Sequence, residues 1–231
     1  MGIVSEVPIL LVHGFASSFE RNWREPGWVN VLEEEGRTVI GVDLLGHGTS
    51  PKPTDPSAYA NLQSAIEEVL DTHPVVDAVG FSLGGQLLLR VASKRPTSFR
   101  RLVIGGVGDN ALKASDGEVL ALAVETGLPG DADHEAAGAF ARFARSSDND
   151  PAALAACLRR RSSPLSAEEL SKVGCPVLVV LGDRDFAGPA TELFAGLPDA
   201  RLVGLPGADH FSTPKDFRFL AGTVEFLCAE T

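Results

Sequence analysis

Six apolar runs of strand length recur along the chain, at residues 9–13, 38–43, 75–81, 102–105, 177–182 and 201–205, most of them running into Gly or Asp. Each is followed by a segment in which apolar residues return every three or four positions. These helical candidates lie at 26–35, 57–72, 84–94, 189–196 and 214–229. Runs that are apolar throughout belong in strands buried on both faces, which is how parallel sheets are built. Alternation with helices, joined by right-handed crossovers, predicts an α/β fold with a doubly wound, mostly parallel sheet of about six strands. In 57–72, Leu62, Ile66, Val69 and Leu70 share one face while Glu67 and Glu68 point away.

The rhythm breaks once. From about 107 to 173 the chain is rich in Ala and charge and has no strand-like run, which reads as a helical cap inserted into a single domain spanning residues 1–231. Helices are expected at 118–126, 136–145 and 151–161, separated by the Gly-Leu-Pro-Gly and Ser-Ser-Asp-Asn-Asp breakers.

A chain of 231 residues encloses a core without staples, and 44% hydrophobic with 22% charged residues is ordinary globular composition. The formal net charge of −11 argues against nucleic acid as a partner, since such binders need clustered Lys and Arg to displace counterions. The short basic runs at 100–101 and 159–161 read as solvated faces or helix ends. Cys157, Cys175 and Cys228 have neither zinc-site nor redox spacing and are expected as buried thiols. With no signal-peptide pattern and no apolar stretch of about twenty residues, a cytoplasmic protein without a membrane partner is expected.

Gly80-Phe81-Ser82-Leu83-Gly84 closes the third apolar run and opens the helix that follows. Ser on a sharp strand-to-helix turn sits in a strained conformation that exposes its hydroxyl, and a side chain at either flanking Gly would collide with the neighbouring elements. The helix N-terminus beneath it favours developing negative charge. A hydroxyl needs a base at neutral pH, and that base must be held in one tautomer. His210 is the best candidate, on the loop after the last strand and on the carboxyl side of the sheet, where ligands bind in open α/β folds. His73 and His134 read as surface groups. For the acid, the loop after the fifth strand offers both Asp183 and Asp185.

In their chain order, Ser, Asp, His, these residues resemble the α/β-hydrolase superfamily. That resemblance selects Asp185, because the acid there typically follows a strand-ending Gly in a G-x-x-D pattern, here Gly182 to Asp185. It also implies an oxyanion hole formed by the backbone N–H groups of Leu83 and Phe15, the latter on a turn, His13-Gly14-Phe15-Ala16, that is similar to the superfamily's HG-x loop. The stretch from Asp43 to Ser50 resembles the D-x-x-G-x-G-x-S loop, in which Asp43 and His47 are expected to hydrogen-bond loop backbone. Superfamily members usually carry two further strands before the HG loop. Here His13 lies close to Met1, so the sheet is expected to be shortened at that edge, leaving a strand for Pro51, Pro53, Pro56 or a partner chain to cover.

The resemblance implies a serine hydrolase that cleaves a carboxylic ester of a small, apolar acyl substrate through an acyl-enzyme, with no cofactor and no metal. Gly14, Phe15, Phe140 and Phe211 are candidates for the substrate pocket. Leu120, Leu122, Leu128, Phe143 and Leu158 face either the pocket or one another, and Arg142 and Arg145 are expected at the surface. Acyl transfer to another acceptor, perhydrolysis and carbon–carbon hydrolysis use the same machinery. A non-catalytic ligand receptor on this fold is the alternative of a different class.

Overall fold

The computed structural model describes residues 7–115, 117–127 and 135–228. Six strands, β1 (Ile9–Val12), β2 (Val39–Val42), β3 (Val76–Phe81), β4 (Phe99–Gly105), β5 (Val177–Gly182) and β6 (Ala200–Leu205), form one sheet in the order β2-β1-β3-β4-β5-β6. Every pairing is parallel.

Both faces of the sheet are covered, because successive side chains of each strand point to opposite sides. Leu10 and Val12 of β1 join Ala78, Leu102, Ile104, Val177 and Val179 in one apolar layer. Ile9 and Leu11 join Val79, Val103, Leu178 and Val180 in the other. Helices α2 (Ser64–Thr72) and α3 (Leu83–Lys94) contribute Ile66, Leu70, Leu87, Leu88 and Val91 to the first layer, and α8 (Thr191–Gly196) adds Leu193. Helices α1 (Trp28–Glu34) and α9 (Phe217–Cys228) close the second, where Trp28 meets Trp23 and Phe219 edge-on at 4.8 and 4.7 Å. The indole Nε1 of Trp28 donates to the carbonyl of Pro214 at 2.8 Å.

The expected helices shorten where local chemistry stops them. The stretch 57–72 divides into a 3-10 turn, Pro56–Tyr59, capped by Asp55, and α2. The buried Tyr59 donates its hydroxyl to the Pro53 carbonyl at 2.7 Å and holds the chain in a turn before Ser64. Gly27 has φ 89°, so α1 starts one residue later, at Trp28. Helix α8 starts at Thr191, with the Leu193 amide donating to Asp109 Oδ1 at 2.9 Å. Pro214 belongs to a 3-10 turn, and α9 follows from Phe217; Ala229 lies outside the described residues. A π-helical turn at Glu20–Arg24 has no counterpart among the expected helices. Cys157 and Cys175 are buried, but Cys228 is exposed: α9 turns its neighbours Phe226 and Leu227 inward, which leaves the last residue facing out.

Among the described residues between β4 and β5 run a 3-10 turn, Asp109–Leu112, and four helices: α4 (Gly117–Thr126), α5 (Glu135–Arg145), α6 (Pro151–Arg159) and α7 (Ala167–Ser171). Asp150 caps α6 by accepting from the Ala152 amide at 2.8 Å, with Pro151 in the first turn. Ser166 and Glu169 form a reciprocal capping box on α7, a helix that is not among the expected ones. Helices α4, α5 and α6 pack on one another, and α7 rests on α3.

At the opposite end of the sheet from the strands' carboxyl termini, Asp77 of β3 is fully buried and ion-paired with both Arg37 and Arg100.

Candidate active site

Ser82 stands between β3 and α3 with φ 50° and ψ −113°, a left-handed conformation that costs a non-glycine residue about 1–3 kcal/mol and persists only where the surroundings impose it. Its amide donates to the Gly105 carbonyl of β4 at 2.8 Å. The flanking glycines allow the turn. A Cβ on Gly84 would run into the carbonyls of Val12 and His13, and one on Gly80 would lie 2.7 Å from the backbone of Gly85. This is why the pattern needs both.

His210 lies in the loop after β6, in a turn that Asp209 and Ser212 close by exchanging hydrogen bonds: the Asp209 amide donates to Ser212 Oγ at 2.9 Å and the Ser212 amide to Asp209 Oδ1 at 2.8 Å. His210 is buried. Its Nε2 lies 3.0 Å from Ser82 Oγ, and its Nδ1 lies 2.8 and 3.0 Å from the two carboxylate oxygens of Asp185. A carboxylate only accepts, so the proton belongs on Nδ1 and the lone pair of Nε2 faces the hydroxyl. Asp185 is held in turn by the Ala187 amide, at 2.8 Å from Oδ1. Asp183, the other carboxylate on this loop, accepts instead from the Gly207 amide at 2.8 Å and makes no hydrogen bond to His210.

Leu83 is the first residue of α3, and the first amides of a helix have no intrahelical acceptor. On the facing turn, the Gly14 N–H is taken by Asn22 Oδ1 at 3.1 Å, which leaves Phe15 to offer the loop's next amide beside Ser82. Asn22 is a residue that sequence reasoning missed. It sits in the π-helical turn, where one sequence gives no periodicity to mark it.

The scaffold beneath this turn is a set of neutral imidazoles and one carboxylate. His13 Nε2 accepts from the Leu44 amide at 3.0 Å, so its Nδ1 carries the proton and donates to the Gly14 carbonyl at 2.7 Å. Burial holds the His13 pKa below the usual histidine range. His47 is also fully buried, with Nδ1 3.0 Å from the Leu45 carbonyl, and burial with the neighbouring His13 lowers it to about 3. Asp43 accepts from the Phe19 amide and the Thr49 amide, both at 2.7 Å, and thereby ties the loop after β1 to the loop after β2. Burial opposes its charge, but these bonds together pull its pKa below the usual carboxylate value.

A cavity of about 60 Å³ opens at Ser82, lined by Gly14, Phe15, Asn22, Phe140, His210 and Phe211 among others. The Phe15 and Phe140 rings stack at 5.0 Å. Phe143 also lines it and packs on Phe211 at 5.1 Å. Leu120 and Leu158 line a second, larger cavity that also reaches Ser82, whereas Leu122 is half exposed and Leu128 lies outside the described residues, as does His134. Arg142 and Arg145 are exposed. Phe186, which sequence reasoning passed over, lies 4.3 Å from the His210 ring; its position directly after Asp185 was the available signal. Among the described residues no three His, Cys, Asp or Glu side chains converge as metal ligands would, and no helix is long and apolar enough to cross a membrane.

Comparison with known proteins agrees with this architecture. Residues 9–218 match the family model described as the alpha/beta hydrolase family, and the chain belongs to that family. A pimeloyl-[acyl-carrier protein] methyl ester esterase from Nitrosomonas europaea is 30% identical over 239 aligned residues, covering 90% of this chain and 92% of that protein. An uncharacterised protein of Mycobacterium tuberculosis is 37% identical over 103 residues, which are 43% of this chain and only 29% of that relative's length. Among solved structures, the enol-lactonase from Burkholderia xenovorans LB400 superposes with a TM-score of 0.77 at 23% identity, over 97% of this chain and 93% of that one, a likeness of fold.

Proposed function

We propose that this protein is a serine hydrolase that cleaves a carboxylic ester of a small substrate through an acyl-enzyme. The observation that carries this reading is the unbroken hydrogen-bonded line from Asp185 through His210 to Ser82, at 2.8 and 3.0 Å. Ser82 Oγ attacks the carbonyl carbon while His210 Nε2 takes its proton, and Asp185 stabilises the imidazolium that forms. The oxyanion accepts from the amides of Phe15 and Leu83. Collapse of the tetrahedral intermediate expels the alcohol, which leaves with the proton from His210. Water, deprotonated by the same imidazole, then attacks the acyl-serine and releases the acid.

The α4–α6 segment acts as the cap. Its Phe140 and Phe143 form part of the wall facing Ser82 and His210, and so exclude water from one side of the acyl group. The methyl ester esterase from Nitrosomonas europaea, aligned over nearly its whole length, supports ester hydrolysis over the other acyl chemistries.

The test is hydrolysis of a chain-length series of aryl esters and thioesters by the wild type and by Ser82→Ala. The proposal expects an optimum at short chains and loss of all turnover in the variant. Turnover that survives Ser82→Ala, or a wild type that binds these esters without cleaving them, would favour the receptor reading.

A further inference from the structure

Phe15, Ser82 and Phe140 line not one cavity but two, so the chambers meet at the candidate hydroxyl. The first is the small aromatic one. The second, of about 450 Å³, gathers four cations, Lys113, Arg159, Arg160 and Arg161, where the first has two, Arg21 and Lys215. Arg159 is already neutralised: its guanidinium pairs with Glu118 at 2.9 Å and Glu125 at 2.7 Å. Glu118 is the one carboxylate among the described residues of the lining, and Arg159 occupies it.

The other three cations have no such partner. Among the described residues, Lys113, Arg160 and Arg161 make no ion pair, although the chain carries 31 acidic residues against 20 basic ones. Arg160 gives Nη1 to the Cys157 carbonyl at 2.7 Å and to Cys157 Sγ at 3.7 Å, which fixes the arm while leaving the N–H groups of Nε and Nη2. Gln86 and Asn110 add neutral polar groups to the same wall. Cations gathered beside one another in a recess without counter-charges among its described lining add up to a positive potential there.

We propose that this chamber holds an anionic group on the substrate, a carboxylate or phosphate tethered to the ester that Ser82 cleaves. The inference rests on the acyl-hydrolase reading above and names the substrate class for it. Arg160 and Arg161 supply charge-assisted, forked hydrogen bonds to the anion, and Lys113 supplies a third positive charge. The scissile carbonyl then lies at the junction of the chambers.

The experiment compares kcat/KM for monomethyl esters of straight-chain dicarboxylic acids with that for their dimethyl esters, and adds methyl esters ending in a phosphonate. The expected result is a preference of roughly tenfold or more for an anionic ester at one chain length, as hydrogen bonds to charged groups provide. Whether the carboxylate or the phosphonate gains more identifies the anion. Arg160→Gln/Arg161→Gln/Lys113→Gln should bring the ratio toward one. Arg161→Gln/Lys113→Gln, which changes only exposed side chains, should lower it in a protein of wild-type thermal stability. Arg142→Gln, a cation outside the chamber, should leave the ratio as it was. Equal kcat/KM for neutral and anionic esters, both Ser82-dependent, overturns this inference alone, as does a preference that survives the triple substitution. Absence of any Ser82-dependent hydrolysis overturns the acyl-hydrolase reading, and this one with it.

Discussion

Asp185 and His210 reach each other from the loops after neighbouring strands β5 and β6, with both carboxylate oxygens within 3.0 Å of Nδ1. Asp183, two residues earlier on the same loop, is spent on the Gly207 amide. Asp185→Asn should therefore lower kcat by about 10³- to 10⁴-fold by admitting the wrong tautomer. Asp183→Asn should cost far less. Steady-state kinetics of the pair decides the matter, and the reverse ranking would assign the acid to Asp183.

In the proposed reaction, Asn22 acts through Gly14. Its Oδ1 holds the Gly14 amide at 3.1 Å and so sets the direction of the following Phe15 N–H. Asn22→Leu should lower kcat by roughly tenfold or more and leave KM nearly unchanged, since the oxyanion is a transition-state feature. A rise in KM with kcat intact would mean that Asn22 only lines the pocket.

Acid should loosen the fold before the carboxylates titrate. His47 is neutral in the native state, its pKa lowered from 6.5 to about 3, and His13 is lowered as well. Below pH 6.5 the unfolded chain takes up protons that the native state refuses, so stability is present above that pH and falls as pH drops toward 3. Each tenfold loss of proton affinity on folding corresponds to about 1.4 kcal/mol, so His47 alone removes a few kcal/mol by pH 3, and His13 acts in the same direction. Urea midpoints followed by tryptophan fluorescence should decline between pH 6.5 and about 5, above the range of the carboxylates. A flat midpoint across that window would contradict the buried, neutral assignment.

Asp77 is fully buried between Arg37 and Arg100, and Arg37 is itself 5% exposed. Asp77→Ala leaves that guanidinium buried without its counter-charge, which should cost about 3–5 kcal/mol. Thermal unfolding measures it, and a loss under about 1 kcal/mol would show that Arg37 finds water.

What the sequence made legible divides along physical lines. The strands were readable to within three residues because burial on both faces demands uninterrupted apolar runs, and the elbow at Ser82 was readable because its glycines are sterically required. Asp185 could be chosen over Asp183 only through the family pattern, since both carboxylates end the same strand. Helix limits such as Tyr59 to Ser64 depend on a hydroxyl reaching Pro53, and the cation-lined chamber depends on how α4 and α6 pair Arg159 with glutamates while leaving Arg160 and Arg161 without an ion pair among the described residues. Those are tertiary facts, and no periodicity encodes them.

In the proposed reaction Ser82 is a poised nucleophile. Intact-protein mass spectrometry after exposure to a fluorophosphonate tests it most directly. A single phosphonyl adduct should map to Ser82, form far more slowly in His210→Ala, and be absent from Ser82→Ala. A folded wild type that remains unlabelled, or an adduct on another residue, would contradict it.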